Sequence, residues 1–236
     1  MSAPLHIWIT GAGQGIGAAI AMQLGTQHHI TLSGRHEASL RGVSGALQHG
    51  NAAVVTCNVS DEQSIHQAHA AAVAVFGPVD VLINNAGVGV FTNLEDMSVE
   101  VFDEQIAVNL RGVFLCTKAV LPSMVERQRG MIITINSIAS ITAFSGCTAY
   151  GASKAGALAL TRSLRSEVRD RGIKVTDILV GATETNIWSE ENRVTLGERM
   201  MQSDDVAGAV QMIVDSFENP RTHFEEIVIR PQRGDL

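Results

Sequence analysis

The chain alternates short runs of apolar, β-branched residues with longer stretches of helical periodicity, and this alternation restricts its fold more than any other feature. Seven such runs are predicted to be strands, and they cover residues 5–10, 30–33, 53–58, 79–84, 131–136, 174–179 and 226–229. Several are continuously hydrophobic, as expected of strands that helices cover on both faces. The pattern therefore predicts an α/β fold with a doubly wound parallel sheet of about seven strands.

The helical stretches lie between these strands and are predicted to complete one domain, 1–236. Six helices are predicted. One begins at Gly15, one covers 37–48, and one begins at Ser60, which would form a capping box with Gln63. The other three cover 98–127, with an interruption near Pro122, 149–170 and 203–217. The one extended irregular stretch, 182–202, is predicted to be a lid over a substrate site. A hydrophobic content of 45% is sufficient for a substantial core.

Charge and cysteine content narrow the classes of partner. The formal net charge is −7 and the Lys and Arg residues are not clustered, which argues against nucleic-acid binding. The weakly charged stretch 68–93 is interrupted by Gly77, Pro78 and Asp80, so we expect no membrane span there. No export signal is recognisable at the start of the chain.

The three cysteines (Cys57, Cys116 and Cys147) are widely separated, which favours a reducing, cytoplasmic location over disulfides or a zinc site.

A glycine-rich turn joins the first predicted strand to the first predicted helix. It reads Thr10-Gly11-Ala12-Gly13-Gln14-Gly15-Ile16-Gly17. Glycine lets the backbone approach a pyrophosphate closely, and the helix N-terminus favours its negative charge. The turn predicts a dinucleotide site formed by Gly11, Gly13, Gln14, Gly15, Ile16 and Gly17. The alternative is that these glycines only tighten a strand–helix joint.

The spacing of this turn, Thr-Gly-x-x-x-Gly-Ile-Gly, resembles that of the short-chain dehydrogenase/reductase family. Further motifs of that family follow in order along nearly the whole chain. They are Asn84-Asn85-Ala86-Gly87, Asn109, Ser137 and Tyr150-x-x-x-Lys154. The resemblance implies a Rossmann fold and an oxidoreductase that uses NAD or NADP.

The same resemblance implies catalytic roles for Asn109, Ser137, Tyr150 and Lys154. Tyr150 is predicted to be the general acid/base, although the ordinary pKa of tyrosine, about 10, is high for that task. Lys154 lies four residues later, on the same face of a helix, and its ammonium would favour the phenolate and bond the nicotinamide ribose. Ser137 would hydrogen-bond the substrate oxygen, and Asn109 would hold a water linked to Lys154.

Each of these four residues has a plainer interpretation. Tyr150 would then be a packing residue, Tyr150 and Lys154 an exposed helix pair, Ser137 a strand cap and Asn109 a buried core amide. Ser140 is a neighbouring alternative to Ser137, but it breaks the family's spacing to Tyr150. No metal site is indicated.

The end of the second predicted strand bears on the choice of cofactor. Gly34 stands where NAD-preferring relatives carry an acid, while Ser33 and Arg35 offer donors for a 2′-phosphate. We therefore predict NADP(H) preference with NAD(H) possible; the alternative is that Arg35 is a solvated loop charge. The other predicted cofactor contacts are Asn58, Val59, Asn85, Ala86, Gly87, Tyr150, Lys154, Gly181, Thr183 and Thr185. Here Val180-Gly181 replaces the family's usual Pro-Gly.

The predicted substrate pocket is largely apolar and favours a small or medium hydrophobic ketone, aldehyde or alcohol. Its residues are Ser137, Ile138, Ala139, Phe144, Cys147, Tyr150 and Trp188. The family resemblance, with a predicted fifth helix rich in small residues, implies a homodimer or homotetramer, and it also implies transfer of the pro-S hydride. The alternatives are an NAD-linked alcohol dehydrogenase, a non-catalytic nucleotide sensor, and an extended nucleotide-sugar epimerase, which would need more chain after Lys174.

Overall fold

A sheet of seven parallel strands forms the centre of the computed structural model, which describes residues 3–47 and 50–236. The strands are His6–Thr10 (β1), His29–Gly34 (β2), Ala52–Thr56 (β3), Val81–Asn84 (β4), Gly130–Ser137 (β5), Ile173–Val180 (β6) and Glu226–Ile229 (β7). Their order in the sheet is β3-β2-β1-β4-β5-β6-β7. The predicted doubly wound parallel sheet and the Rossmann-like single domain are confirmed.

Helices cover both faces of the sheet. They are Gly15–Leu24 (α1), Glu37–Ala46 (α2), Glu62–Phe76 (α3), Val99–Ile106 (α4), Gly112–Arg127 (α5), Thr148–Val168 (α6), Glu190–Leu196 (α7) and Ser203–Asp215 (α8). Side chains alternate along each strand, so Ile7 and Ile9 pack in one core with α1, α2 and α8, while Trp8 packs in the other with α3, α5 and α6. The period-2 pattern thus builds two cores on opposite faces of the sheet.

The start of α3 differs from the prediction. Asp61, rather than Ser60, is the N-cap, because its carboxylate accepts hydrogen bonds from the backbone N–H groups of Gln63 (2.8 Å) and Ser64 (3.3 Å). The Ser60 hydroxyl instead donates to Asn58 Oδ1 (2.8 Å). The predicted capping box of Ser60 with Gln63 is therefore wrong.

Two other helical predictions also need correction. The interruption between α4 and α5 is a π-helical turn, Ala107–Arg111, and Pro122 lies within α5. The stretch 182–202 is not wholly irregular, because Ser189 caps α7 inside it by accepting from Asn192 N (3.2 Å). The predicted end of the second helix at Gln48 lies outside the described residues, as do Met1 and Ser2.

The segment Val99–Arg127 is long and apolar enough to cross a membrane, judged by length and composition alone. Its α5 part packs Cys116, Val120 and Met124 into the core beneath the sheet. A core helix of a globular domain passes the same test, so this segment is weak evidence for a span.

A small set of hydrogen bonds joins the ends of β1 and β4. Thr10 Oγ1 accepts from the backbone N–H groups of Asn85 and Ala86, both at 3.0 Å. The Asn85 side-chain Nδ2 donates to the carbonyls of Thr10 (2.9 Å) and Gly11 (3.1 Å). Gly17 packs against this joint so closely that a Cβ there would lie 2.4 Å from the Gly11 oxygen and 2.5 Å from Asn85 Nδ2. The joint thus fixes the glycine-rich turn against the loop after β4.

We expect Gly17→Ala to lower the free energy of unfolding by about 1–3 kcal/mol, because the new methyl overlaps the Gly11 carbonyl and the Asn85 amide. Gly42→Ala is the matched control, since Gly42 lies in α2 and no atom of residues 3–47 and 50–236 is within 4 Å of the added Cβ. Alanine also favours a helix over glycine by up to about 1 kcal/mol. Urea unfolding of both variants makes the measurement. Equal stability of the two variants would contradict the close packing at Gly17.

Candidate active site

A cavity of about 570 Å³ opens at the carboxyl ends of the strands. Ligands of doubly wound sheets bind at this edge, beside the point where the strand order reverses. In this sheet that point lies between β1 and β4, which are neighbours although β2 and β3 intervene in the chain. The glycine-rich turn and the loop after β4 therefore form facing walls of the cavity.

The glycine-rich turn presents its backbone to one end of the cavity. The predicted residues Gly11, Gly13, Gln14, Gly15 and Ile16 all line it. The side chain of Gln14, the N-cap of α1, makes no capping hydrogen bond. Within the described part of the chain, the N–H groups of Gly15, Ile16 and Gly17 in the first turn of α1 have no partner, so they can bind an anion. Gly17 does not line the cavity, and its contribution is the close packing described above.

The cavity end beside β2 and β3 carries both predicted and unpredicted residues. Arg35, Asn58 and Val59 line it, as predicted, together with His36 and Ser39, which the sequence analysis missed. The sequence signal that could have identified His36 and Ser39 is their position just after Arg35, at the start of α2.

Ser33 is misassigned by the sequence analysis. It is fully buried, where its hydroxyl accepts from Trp8 Nε1 (2.8 Å) and donates to the Ile9 carbonyl (3.1 Å). Because both contacts lie within the sheet, Ser33 is not available to a cofactor phosphate.

The start of α6 places Tyr150 and Lys154 on one face, one turn apart, and both line the cavity. Lys154 Nζ lies 5.9 Å from the centre of the Tyr150 ring and donates to the Ile135 carbonyl at 2.9 Å. Burial lowers the pKa of Lys154 to about 8, although the charge of Asp177 acts to raise it. The lysine is therefore held close to its point of deprotonation.

The pKa of Tyr150 moves in the opposite direction from the one expected. Burial raises it to about 12, and this outweighs the lowering by a hydrogen bond with Ser137. In the protein alone, the ammonium of Lys154 is directed to the Ile135 carbonyl. Tyr150 is therefore a neutral phenol at physiological pH.

Ser137 ends β5 and faces Tyr150. Its hydroxyl oxygen accepts from Ala139 N at 3.1 Å, and the same hydroxyl forms the hydrogen bond with Tyr150. Ser140, the alternative, does not line the cavity, and its hydroxyl donates to the Ser137 carbonyl at 2.6 Å. The geometry therefore favours Ser137 over Ser140 as the serine beside the tyrosine.

Asn109 lies in the π-helical turn, buried behind the cavity wall. Its Oδ1 accepts from Val88 N (2.9 Å), and its Nδ2 donates to the Val88 carbonyl (2.8 Å) and to Ser153 Oγ (3.0 Å). Asn109 thus holds the loop after β4 against α6. Because the amide already makes these three bonds, the structure gives it a positioning contribution, and the predicted water-holding role stays a prediction.

The substrate end of the cavity has aromatic walls. The predicted residues Ile138, Ala139, Phe144, Cys147 and Trp188 line it. Phe91, which was not predicted because no motif marks it, stands between Tyr150 and Trp188. Its ring centre lies 5.3 Å from each of theirs, edge-on to Tyr150 and stacked on Trp188.

The segment after β6 spans the mouth of the cavity. Gly181, Thr183 and Thr185 line the cavity as predicted, and Asn186 Nδ2 reaches across to donate to Gln14 Oε1 at 3.0 Å. A bridge between Thr183 and Met201 draws the two ends of the segment together. Other lining residues that the sequence analysis missed are Val88, Ile187, Leu196, Asp235 and Leu236.

Comparison with known proteins gives matches over nearly the whole chain. A sepiapterin reductase of Chlorobaculum tepidum is 34% identical over 242 residues, covering 97% of this chain and 96% of that protein. An uncharacterized oxidoreductase of Staphylococcus aureus strain USA300 is 31% identical over 224 residues, and the match covers 94% of this chain and 95% of that protein.

Solved structures have the same fold. An alcohol dehydrogenase of Thermococcus sibiricus, complexed with 5-hydroxy-NADP, superposes with a TM-score of 0.88 at 27% identity, covering 98% of both chains. A metagenomic short-chain oxidoreductase in complex with NADP superposes with a TM-score of 0.82 at 30% identity, and the match covers 98% of both chains. The family described as short chain dehydrogenase matches residues 5–195. The chain is therefore an oxidoreductase that belongs to the short-chain dehydrogenase/reductase family.

Proposed function

We propose that this enzyme is NADP(H)-dependent and reduces a ketone or aldehyde, or oxidises the matching alcohol, with Tyr150 as its general acid/base. One observation carries the proposal. Ser137, Tyr150 and Lys154 stand together in the cavity wall, between the glycine-rich turn and the aromatic pocket. The hydroxyl groups of Ser137 and Tyr150, next to an apolar pocket, suit a substrate with a single reactive oxygen.

The residues of the cavity fit a nicotinamide dinucleotide. The backbone of Gly13, Gln14 and Gly15 and the free N-terminus of α1 would hold its pyrophosphate. Lys154 has two N–H hydrogens left beyond its bond to the Ile135 carbonyl, and they are available to ribose hydroxyls. When bound, the nicotinamide supplies or accepts the hydride at the substrate carbon.

The chain's own groups manage the substrate oxygen. When substrate is bound, Ser137 donates its hydroxyl hydrogen to that oxygen in place of Tyr150 and stabilises the negative charge that develops there. Tyr150 then gives the oxygen a proton. Since burial raises the pKa of Tyr150 to about 12, the phenol is already in the protonated state that carbonyl reduction requires.

The preference for NADP(H) rests on the end of the cavity beside β2. Arg35, His36 and Ser39 supply donors there, and Gly34 leaves no side chain where an acid would repel a phosphate. Among the described residues at this end of the cavity, none is a carboxylate. Two solved structures of similar fold were obtained with NADP or its 5-hydroxy analogue.

The aromatic pocket suits a hydrophobic carbonyl compound of small or medium size, since Phe91, Phe144 and Trp188 dominate its walls. Similar proteins named for carbonyl reduction, a sepiapterin reductase and a levodione reductase, support this class. We assign the segment 182–202 as a lid over this pocket.

Replacement of Tyr150 by Phe tests the catalytic proposal. The wild type should oxidise NADPH with at least one member of a panel of ketones, aldehydes and diketones. Tyr150→Phe should lower kcat by roughly 10²- to 10⁴-fold, because the proton donor is lost while the ring is kept. Nucleotide affinity, measured by NADPH fluorescence, should change little. Nucleotide binding with no turnover by the wild type would instead favour the sensor alternative.

Replacement of Arg35 by Asp tests the cofactor preference. The ratio of kcat/KM for NADPH over NADH should fall by about ten- to a hundredfold, because a charge-assisted bond is replaced by repulsion. Arg41→Asp is the matched control, as Arg41 is an exposed residue of α2 that pairs with Glu37. A ratio that is the same in both variants as in the wild type would contradict the role of Arg35.

We also propose that the protein is a homodimer or homotetramer. Phe102 of α4 and Phe114 of α5 remain 39% and 45% exposed, on helices that pack beside α6. Phenylalanine is among the residues enriched at protein–protein interfaces, so these two side chains are candidates for the subunit contact. Light scattering at micromolar concentration should give a multiple of the 25.1 kDa chain mass, and a mass of one chain would contradict the proposal.

A further inference from the structure

We propose that Asp177, a buried carboxylate on β6, is a positioning residue that orients Ser137 through Asn136 and supports the charge of Lys154. The inference rests on the functions proposed above for Ser137 and Lys154. It gives a reason for a group that the catalytic scheme does not otherwise use.

Asp177 is fully buried, yet it is surrounded by donors. Its Oδ2 accepts from Thr161 Oγ1 (2.7 Å) and from Arg165 Nη2 (3.1 Å), both on α6. Its Oδ1 accepts from Asn136 Nδ2 at 3.3 Å on the neighbouring strand β5. A buried carboxylate is costly unless it is paired and hydrogen-bonded, and an apolar pair of the same size is often no less stable. The network therefore calls for a function beyond stability.

The contact with Asn136 fixes which way its side-chain amide faces. An ionised carboxylate only accepts hydrogen bonds, so the Nδ2 of Asn136 must point to Asp177. The amide oxygen then points to the opposite side, where it accepts from the backbone N–H of Ser137 at 2.8 Å. Without Asp177, the Nδ2 of Asn136 loses its acceptor, and only the bond from the Ser137 N–H still orients the amide. Asp177 thus holds the backbone of Ser137 through one intermediate side chain.

The second effect of Asp177 is electrostatic. Lys154 Nζ is bonded to the Ile135 carbonyl, one residue before Asn136 on β5. Burial lowers the pKa of Lys154, and Asp177 is the charge that opposes this lowering. Removing the carboxylate would therefore lower the lysine pKa further. The lysine would then lose its proton at a lower pH than in the wild type.

Other charged groups near Asp177 define the control. Arg165 is anchored independently, because it donates to the carbonyls of Val175 (2.8 Å) and Glu225 (2.7 Å). Glu226, on the far side of Arg165 at 3.5 Å, bonds Arg162 at the protein surface. A purely structural network that joins α6 to β6 and β7 would need these contacts but not the one to Asn136. Glu226→Gln leaves the bond from Asn136 to Asp177 in place, and because it removes a like charge that raises the pKa of Asp177, it keeps that carboxylate ionised.

The experiment compares Asp177→Asn, Asn136→Ala and Glu226→Gln with the wild type. We expect the first two to lower kcat by roughly ten- to a hundredfold with KM and NADPH affinity little changed, since small misplacements of a reacting group have effects of this size. Only Asp177→Asn should move the alkaline limb of the kcat profile to lower pH. Hydrogen exchange of the Ser137 amide, measured without nucleotide or substrate, should be faster in both. Glu226→Gln should match the wild type in every measurement.

Wild-type kcat and wild-type Ser137 exchange in Asn136→Ala would overturn the proposal, even if Asp177→Asn failed to fold. Loss of stability in Asp177→Asn with an unchanged pH profile would reduce Asp177 to a structural residue. Ser137→Ala distinguishes a failure of the role proposed for Ser137 from a failure of the role proposed for Asp177. If Ser137→Ala keeps full activity, the proposed role of Ser137 fails and this inference fails with it. If Ser137→Ala is inactive while Asp177→Asn and Asn136→Ala behave as wild type, only this inference fails.

Discussion

The hydrogen bonds between the ends of β1 and β4 are the constraint on which the active site depends. At this point the sheet extends to β2 and β3 on one side and to β5, β6 and β7 on the other, and a crevice opens between the two halves. Thr10 binds the backbone of Asn85 and Ala86, while the Asn85 amide returns to the glycine-rich turn. The bonds that join the two halves of the sheet therefore also set the separation of the two cavity walls.

Buried polar groups extend this order from the sheet to the proposed catalytic residues. Asn109 ties the loop after β4 to α6. The Ile135 carbonyl holds Lys154, and a chain of bonds runs from Asp177 through Asn136 to Ser137. Each of these groups would be costly if it were left unpaired in the interior. Three separate sets of hydrogen bonds thus order the candidate site, and each of them has a residue on β5 or α6.

Much of the fold could be predicted from the sequence, because its signals are local. The apolar runs identified all seven strands. The central strands are buried on both faces and largely hydrophobic, whereas the edge strands β3 and β7 are only partly buried. The start of α3 was misplaced because Ser60 and Asp61 are both good caps, and only the backbone geometry decides between them. The break at 107–111 was misplaced because it accompanies a tertiary contact, from Asn109 to Val88, that helix periodicity does not contain.

The site was predictable where a motif marks it. The family's spacing led to Ser137, Tyr150 and Lys154, which line one cavity. Ser33 was misassigned because its partner, Trp8, lies on the adjacent strand, and strand register is not apparent from one sequence. Phe91 and Asp177 were missed because their importance comes from neighbours distant in the chain. The rise in the Tyr150 pKa was likewise not foreseen, since burial is a property of the folded protein.

The most direct test of the account is to follow the hydrogen that reduces the substrate. NADPH carrying deuterium at the pro-S position of the nicotinamide would be turned over with a carbonyl substrate, and the product alcohol analysed by mass spectrometry and NMR. The account predicts that the deuterium is retained on the carbinol carbon of the product alcohol. Retention of deuterium in the oxidised cofactor would contradict the predicted face of transfer. A product without deuterium, formed with loss of the label to water, would contradict direct hydride transfer.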